Sequence, residues 1–235
     1  MSAYFDAFFF GIFPYIALVV LAVGSILRYE REPYTWRSGS SQLLRRRQLV
    51  WGSVLFHVGV LIVFLGHFLG LLVPIQLFHL LGIAPPTKQM MAIVVGGVAG
   101  VVALAGGLML LHRRLADARI RRTSSFADIA VLALLDIQLV LGLAGIGVSL
   151  EHLDGSMMMN FMAWSQGIFT FDVDAWQYVR NAHWLFKAHL ILGLFLFLIF
   201  PFTRLVHMLS MPMRYLYRPG YQIVRSKRGR PAGSA

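Results

Sequence analysis

The chain contains no cysteine. That absence excludes a disulfide, a c-type haem attachment motif and a thiolate-held iron–sulfur cluster within the protein itself. Charge is scarce too: Asp, Glu, Lys and Arg make up 13% of the 235 residues, and only 10 residues are acidic. With 58% hydrophobic residues and a mean hydropathy of +0.70, the composition is not that of a water-soluble domain. No Lys or Arg precedes the first apolar run and no small-residue cleavage site follows it, so the run lacks the form of a removable signal peptide and is expected to stay as a helix. No internal repeat is evident.

Long apolar windows are abundant. Crossing a hydrocarbon core of ~30 Å takes roughly 20 residues as helix, and five windows qualify, at about 6–27, 49–72, 89–111, 126–149 and 184–209. The expected fold is all-α, an integral membrane bundle of five transmembrane helices forming a single domain over 1–225, with a flexible basic tail at 226–235. Basic residues fall unevenly between the spans. Seventeen lie in 28–48, 112–124 and the segment from 210 onward, whereas 1–5, 73–87 and 150–183 hold only Arg180. The positive-inside bias therefore predicts the N-terminus outside (periplasmic) and the C-terminus in the cytoplasm. The net charge of +11 reads as this topology signal, with a basic face able to dock an acidic soluble partner, and no nucleic-acid site is expected. The longest outer connection, 150–182, mixes Met, Phe and Trp with polar residues in "GSMMMNFMAWSQGIFTF", which predicts a helix at the outer membrane surface. Gly96, Gly97, Gly100, Gly106 and Gly107 crowd the third span, as close helix packing requires.

Ionisable side chains are expensive in lipid and mark a functional interior. Four of the eight histidines, His79, His112, His152 and His183, sit in loops or at span ends. The remaining four are inside spans: His57 and His67 in the second, His189 and His207 in the fifth. Because these helices run in opposite directions, depth sorts them into two pairs, His57 with His207 near the cytoplasmic face and His67 with His189 nearer the outside. A neutral imidazole is a good haem ligand, and two of them fill the axial positions of one iron. Two haems stacked across the membrane would conduct electrons and leave no open iron site. The spacings differ, since ten residues of helix rise ~15 Å and eighteen rise ~27 Å, so the fifth helix is expected to tilt or to kink at Pro201 in "LIFPFTR".

With those residues in view, the chain resembles the gamma subunit of respiratory nitrate reductase, the membrane cytochrome b of that complex. The segments "FFFGIFPYIA" (8–17), "YTWRSGSSQ" (34–42), "FHVGVLIVFLGHFLG" (56–70), "KQMMA" (88–92) and "FPFTRLVHM" (200–208), in this order and with histidine spacings of ten and eighteen, carry the resemblance. It implies two b-type haems, with His57 and His207 as proximal, cytoplasmic-side ligands and His67 and His189 as distal, outer-side ligands. It also implies an outer site where membrane quinol is oxidised, and Lys88 matches the lysine of that site. An anchoring role at the membrane rim is the alternative for Lys88. Gly66 and Gly70 flank His67, and either make room there for a flat ring or serve helix packing. Arg204 and Lys187, near the histidines, either neutralise haem propionates or anchor span ends. Asp136, mid-membrane in "LALLDIQLVLG", is expected to be protonated or hydrogen-bonded, with Gln138 or another helix as partner.

The expected function follows: quinol from the membrane pool gives up two electrons at the outer site, and they pass through the two haems to an iron–sulfur beta subunit and on to a molybdenum alpha subunit that reduces nitrate. The basic inner loops and 212–225 are the candidate docking surface, and the bacterial inner membrane is the expected location. A diheme quinol-oxidising cytochrome of another complex, such as one of sulfur metabolism, and a non-haem transporter or membrane anchor are the competing readings.

Overall fold

The computed structural model describes residues 3–32, 35–36, 44–151 and 153–209. Most of 34–42, the docking segment 212–225, the tail at 226–235 and His152 lie outside the described residues. Inside a bilayer a backbone polar group finds no water, so a long apolar segment bonds along itself as a helix. All five windows do so: α1 (Ala3–Arg31), α2 (Arg46–Leu72), α4 (Pro85–Ala116), α6 (Phe126–Glu151) and α8 (Trp184–Ile199). Three shorter helices connect them, α3 (Ile75–Leu80), α5 (Ala118–Thr123) and α7 (Ser156–Phe169). No strand occurs among the described residues.

Neighbours follow in a row, α2 on α4, α4 on α6, α6 on α8 and α8 on α1. The α2–α4 seam is the tightest because small residues line both sides. A Cβ on Gly59 would sit 2.6 Å from the Ala99 carbonyl oxygen and from the Ala103 nitrogen. A Cβ on Gly106 would run into the Phe56 backbone. Glycine lets these two backbones touch, which dispersion rewards in lipid, where no hydrophobic effect drives helices together. Large apolar side chains such as Val58, Leu61, Phe64, Leu65 and Phe68 remain exposed, as a lipid-facing surface requires.

Two prolines break the helices at places the rest of the chain then uses. Pro14 has no N–H to give Phe10, and the turn Phe8–Ile12 widens to a π-helix. The freed Phe10 carbonyl accepts the Trp164 indole N–H at 2.8 Å, which ties α7 to α1. Helix α7 thus exists where the outer-loop composition placed it, but its Trp164 and Ile168 are buried against the bundle with Phe10, Ala17 and Leu194, and its Met162 is buried as well.

The fifth span departs from the predicted 184–209. Its α-helix stops at Ile199, a 3-10 turn carries Phe200–Phe202, Thr203 is extended, and a second 3-10 stretch spans Arg204–Leu209. Pro201 is the cause, and the kink is the one of the two expected adjustments, tilt or kink, that the break displays. Arg28 of α1 covers the break, donating from Nη1 to the carbonyl oxygens of Pro201 and Thr203 at 2.7 Å each. Gly24 leaves room for the proline ring, since a Cβ there would lie 2.7 Å from Pro201 Cγ.

Candidate functional site: two histidine pairs and a buried lysine

The four intramembrane histidines meet in the two depth-matched pairs. Rings of His57 and His207 lie 6.2 Å apart between centroids, and those of His67 and His189 lie 6.0 Å apart. Metal–imidazole bonds are about 2 Å long and the ring radius is about 1.1 Å, so two imidazoles on one iron put their centroids about 6.2 Å apart. The residues fit the haems that the sequence implies. Two nitrogens are also the complement such a group asks for, because the macrocycle brings the other ligands with it.

Three of the rings are oriented by their own segment. His57 donates from Nδ1 to the Ser53 carbonyl at 2.7 Å, with the Ser53 hydroxyl at 3.2 Å. His67 Nδ1 meets the Val63 carbonyl at 2.8 Å, and His207 Nδ1 meets the Arg204 carbonyl at 2.5 Å. A carbonyl only accepts, so Nδ1 carries the proton in all three and the lone pair stands on Nε2, ready for a metal. His189 is held differently. Its Nδ1 is buried with no hydrogen-bond partner among the described residues, while Gln138 of α6 donates to its backbone carbonyl at 3.0 Å and sits 3.4 Å from its Nε2.

Lys88, at the first turn of α4, is 5% exposed and so is not a rim anchor reaching for water. Its ammonium donates to the Gly70 carbonyl oxygen and to Met162 Sδ, both at 2.8 Å, and lies 4.1 Å from the centre of the Phe78 ring. Four helices, α2, α3, α4 and α7, meet at this one charge. Two of its three N–H groups are taken, which leaves one to donate. Gly66 and Gly70 present open faces, where an added Cβ would meet nothing within 4 Å. Close packing among the described residues therefore does not account for these two glycines, whose open faces lie beside His67. Met162 and Phe78 were not legible as site residues, because nothing in a Met-rich loop or an apolar turn marks which side chain will touch Lys88.

Lys187 and Arg204, considered for haem propionates, both have protein partners. Lys187 is buried and gives its three hydrogens to Asp6 Oδ1 (2.8 Å), Asp6 Oδ2 (3.0 Å) and the Arg180 carbonyl (2.6 Å). Arg204 pairs with Asp128, Nε to Oδ1 at 2.7 Å. The acid within the first apolar run was the available signal for the Asp6 pair. Asp136 is 4% exposed and packs at Gly107, where a Cβ would collide with its Oδ1, and among the described residues neither carboxyl oxygen has a hydrogen-bond partner. The expected bond with Gln138 does not form, because the Gln138 amide reaches α8 instead.

Comparison with known proteins agrees across the chain. The family model described as nitrate reductase gamma subunit matches residues 6–227. The respiratory nitrate reductase 1 gamma chain of Escherichia coli is 46% identical over 224 residues, covering 95% of this chain and 99% of that one. The respiratory nitrate reductase 2 gamma chain of the same organism is 46% identical over 229 residues, covering 97% and 100%. The nitrate reductase gamma chain of Bacillus subtilis is 38% identical over 217 residues, covering 92% and 96%.

Proposed function

The chain belongs to the nitrate reductase gamma subunit family, as a multi-pass inner-membrane subunit of a nitrate reductase complex, and from that premise we propose that it oxidises membrane quinol and passes the electrons toward its basic end. The observation that carries the reading is the pair of histidine pairs, two rings at 6.0 Å and two at 6.2 Å, one above the other along the bundle. The basic loops support a reading with His57 and His207 toward the cytoplasm and Lys88, His67 and His189 toward the outside. When bound, one b-type haem at each pair supplies a one-electron carrier.

Lys88 binds the quinol. Its free N–H donates to a quinol oxygen, the open faces of Gly66 and Gly70 admit the ring, and Phe78 and Met162 keep water from the ammonium. Holding one quinol oxygen fixes the ring beside His67, so that the electrons leave over a short distance. Oxidation of the quinol releases two electrons and two protons. With the site on the outer side the protons leave outward while the electrons move inward, so turnover charges the membrane. The electron acceptor beyond the inner pair is the iron–sulfur beta subunit that the family resemblance implies; with no cysteine in this chain, a cluster there belongs to a separate subunit. A molybdenum alpha subunit reduces nitrate. Arginines at the basic end, among them Arg45, Arg46, Arg121 and Arg122, form the docking face.

Pyridine haemochrome quantitation and dithionite-minus-oxidised spectra of the detergent-purified complex test this directly. Two b-type haems per gamma chain, reducible by a quinol analogue, are the expected result. A folded, assembled complex without haem in this chain would sink the reading and return the histidines to proton or metal chemistry.

A further inference from the structure

We propose that Gln138 is a positioning residue for His189, and that it makes the His67–His189 pair chemically unlike the His57–His207 pair; this rests on the haem reading above.

The contact is built from both helices. On α6, Gln138 is followed four residues later by Gly142, and on α8, His189 is followed four residues later by Gly193. Each polar side chain lies over the glycine of the other helix. A Cβ on Gly142 would sit 3.0 Å from His189 Cε1, and a Cβ on Gly193 would sit 3.2 Å from Gln138 Nε2. One helical turn separates the members of each set, so both crossings fall on the same antiparallel contact. Neither side chain has this place without the glycine opposite.

The amide orientation is fixed by its own hydrogen bond. Gln138 Nε2 faces the His189 carbonyl oxygen at 3.0 Å, and a reversed amide would set oxygen against oxygen. The group facing His189 Nε2 is therefore a donor. It favours the tautomer with the proton on Nδ1 and the lone pair on Nε2, the same nitrogen that the backbone carbonyls select in the other three histidines. At 3.4 Å the contact is long enough to leave that lone pair available to a metal. Among the described residues His189 Nδ1 has no acceptor of its own. Elsewhere an Nδ1–H bond to a carbonyl pushes electron density onto the ligating nitrogen. His189 lacks that push, which makes it the weaker electron donor of the four, and its orientation depends on Gln138.

The test is a potentiometric titration of the complete complex in membranes, read by optical and electron paramagnetic resonance spectra. Wild type is compared with Gln138→Leu and Gly193→Ala, the second of which displaces the amide without removing it. The expected result is a changed g-tensor and midpoint potential, or loss of haem, at the His67–His189 site in both variants, with the His57–His207 signal unmoved as an internal control. An unchanged His67–His189 signal, or an equal change at both sites, overturns the proposal. A wild-type complex lacking haem in this chain would instead remove the ligand assignment, a separate failure seen before any variant is made.

Discussion

At the basic end of the bundle, His57 and His207 are each oriented by a carbonyl three or four residues back along their own segment. At the opposite end, His67 follows that pattern while His189 depends on an amide from a neighbouring helix. The charges divide in the same way. At the basic end, ion pairs such as Arg45–Asp117 and Arg204–Asp128 remain partly exposed, with side-chain exposures of 46%, 20%, 19% and 19%. At the other end, Lys88 and the Lys187–Asp6 pair are all but closed off from solvent. A site that takes up a hydrophobic substrate needs buried, directed polar groups, whereas a face that docks a soluble partner keeps its charges wet. The same pair of imidazoles is thus set in two different surroundings.

The comparison breaks most completely at the histidines. His67→Leu and His57→Leu are each expected to remove one haem and leave the other, with quinol-to-nitrate turnover abolished in both. Haemochrome content falling from two to one, with a different spectral component lost in each variant, is the check, and loss of both from either variant would show the two sites to be interdependent. Next in size is the buried ion pair. Asp6→Ala leaves the Lys187 ammonium without its counter-charge, a loss of about 3–5 kcal/mol, and Asp6→Leu combined with Lys187→Met should recover most of it. Thermal unfolding in detergent reads both.

Glycines sharpen the contrast between packing and access. Gly106→Ala forces α2 from α4 at a cost of about 1–3 kcal/mol, because its Cβ meets the Phe56 backbone. Gly66→Ala, whose Cβ meets nothing within 4 Å, should leave the unfolding temperature unchanged and weaken quinol binding. A lowered unfolding temperature for Gly66→Ala would assign that glycine to packing after all. Lys88→Met is expected to raise KM for quinol about tenfold, or about 1.4 kcal/mol of binding, with both haems retained. The smallest effect belongs to Arg204→Gln, where an incompletely buried ion pair contributes about 1 kcal/mol or less and weakens further with salt.

Much of this arrangement was legible in advance. Helix α2 occupies its window to within a few residues because ~20 apolar residues in lipid have one way to satisfy their backbone. The depth pairing of the histidines needed only helix direction and rise per residue. The break at Pro201 followed from a residue that cannot donate to the helix. Lys187 was different, since nothing in a one-dimensional string says that an acid 181 positions earlier will lie beside it. For Asp136 the sequence offers Gln138 or another helix as partner, and side chains two apart on a helix point to different faces. Gln138 accordingly serves α8, and Asp136 packs against Gly107.

By itself, the sequence determined the membrane spans and the identity of the candidate ligands. These depend on hydrophobic length and on residue type within a span, both of which are local. Only the tertiary structure decided that Lys187 pairs with Asp6, that Met162 and Phe78 stand at Lys88, and that Gln138 reaches His189 from another helix. Those outcomes depend on which faces of separate helices meet, and that is settled by the summed packing of small residues along each seam, where one methyl group is enough to move a backbone.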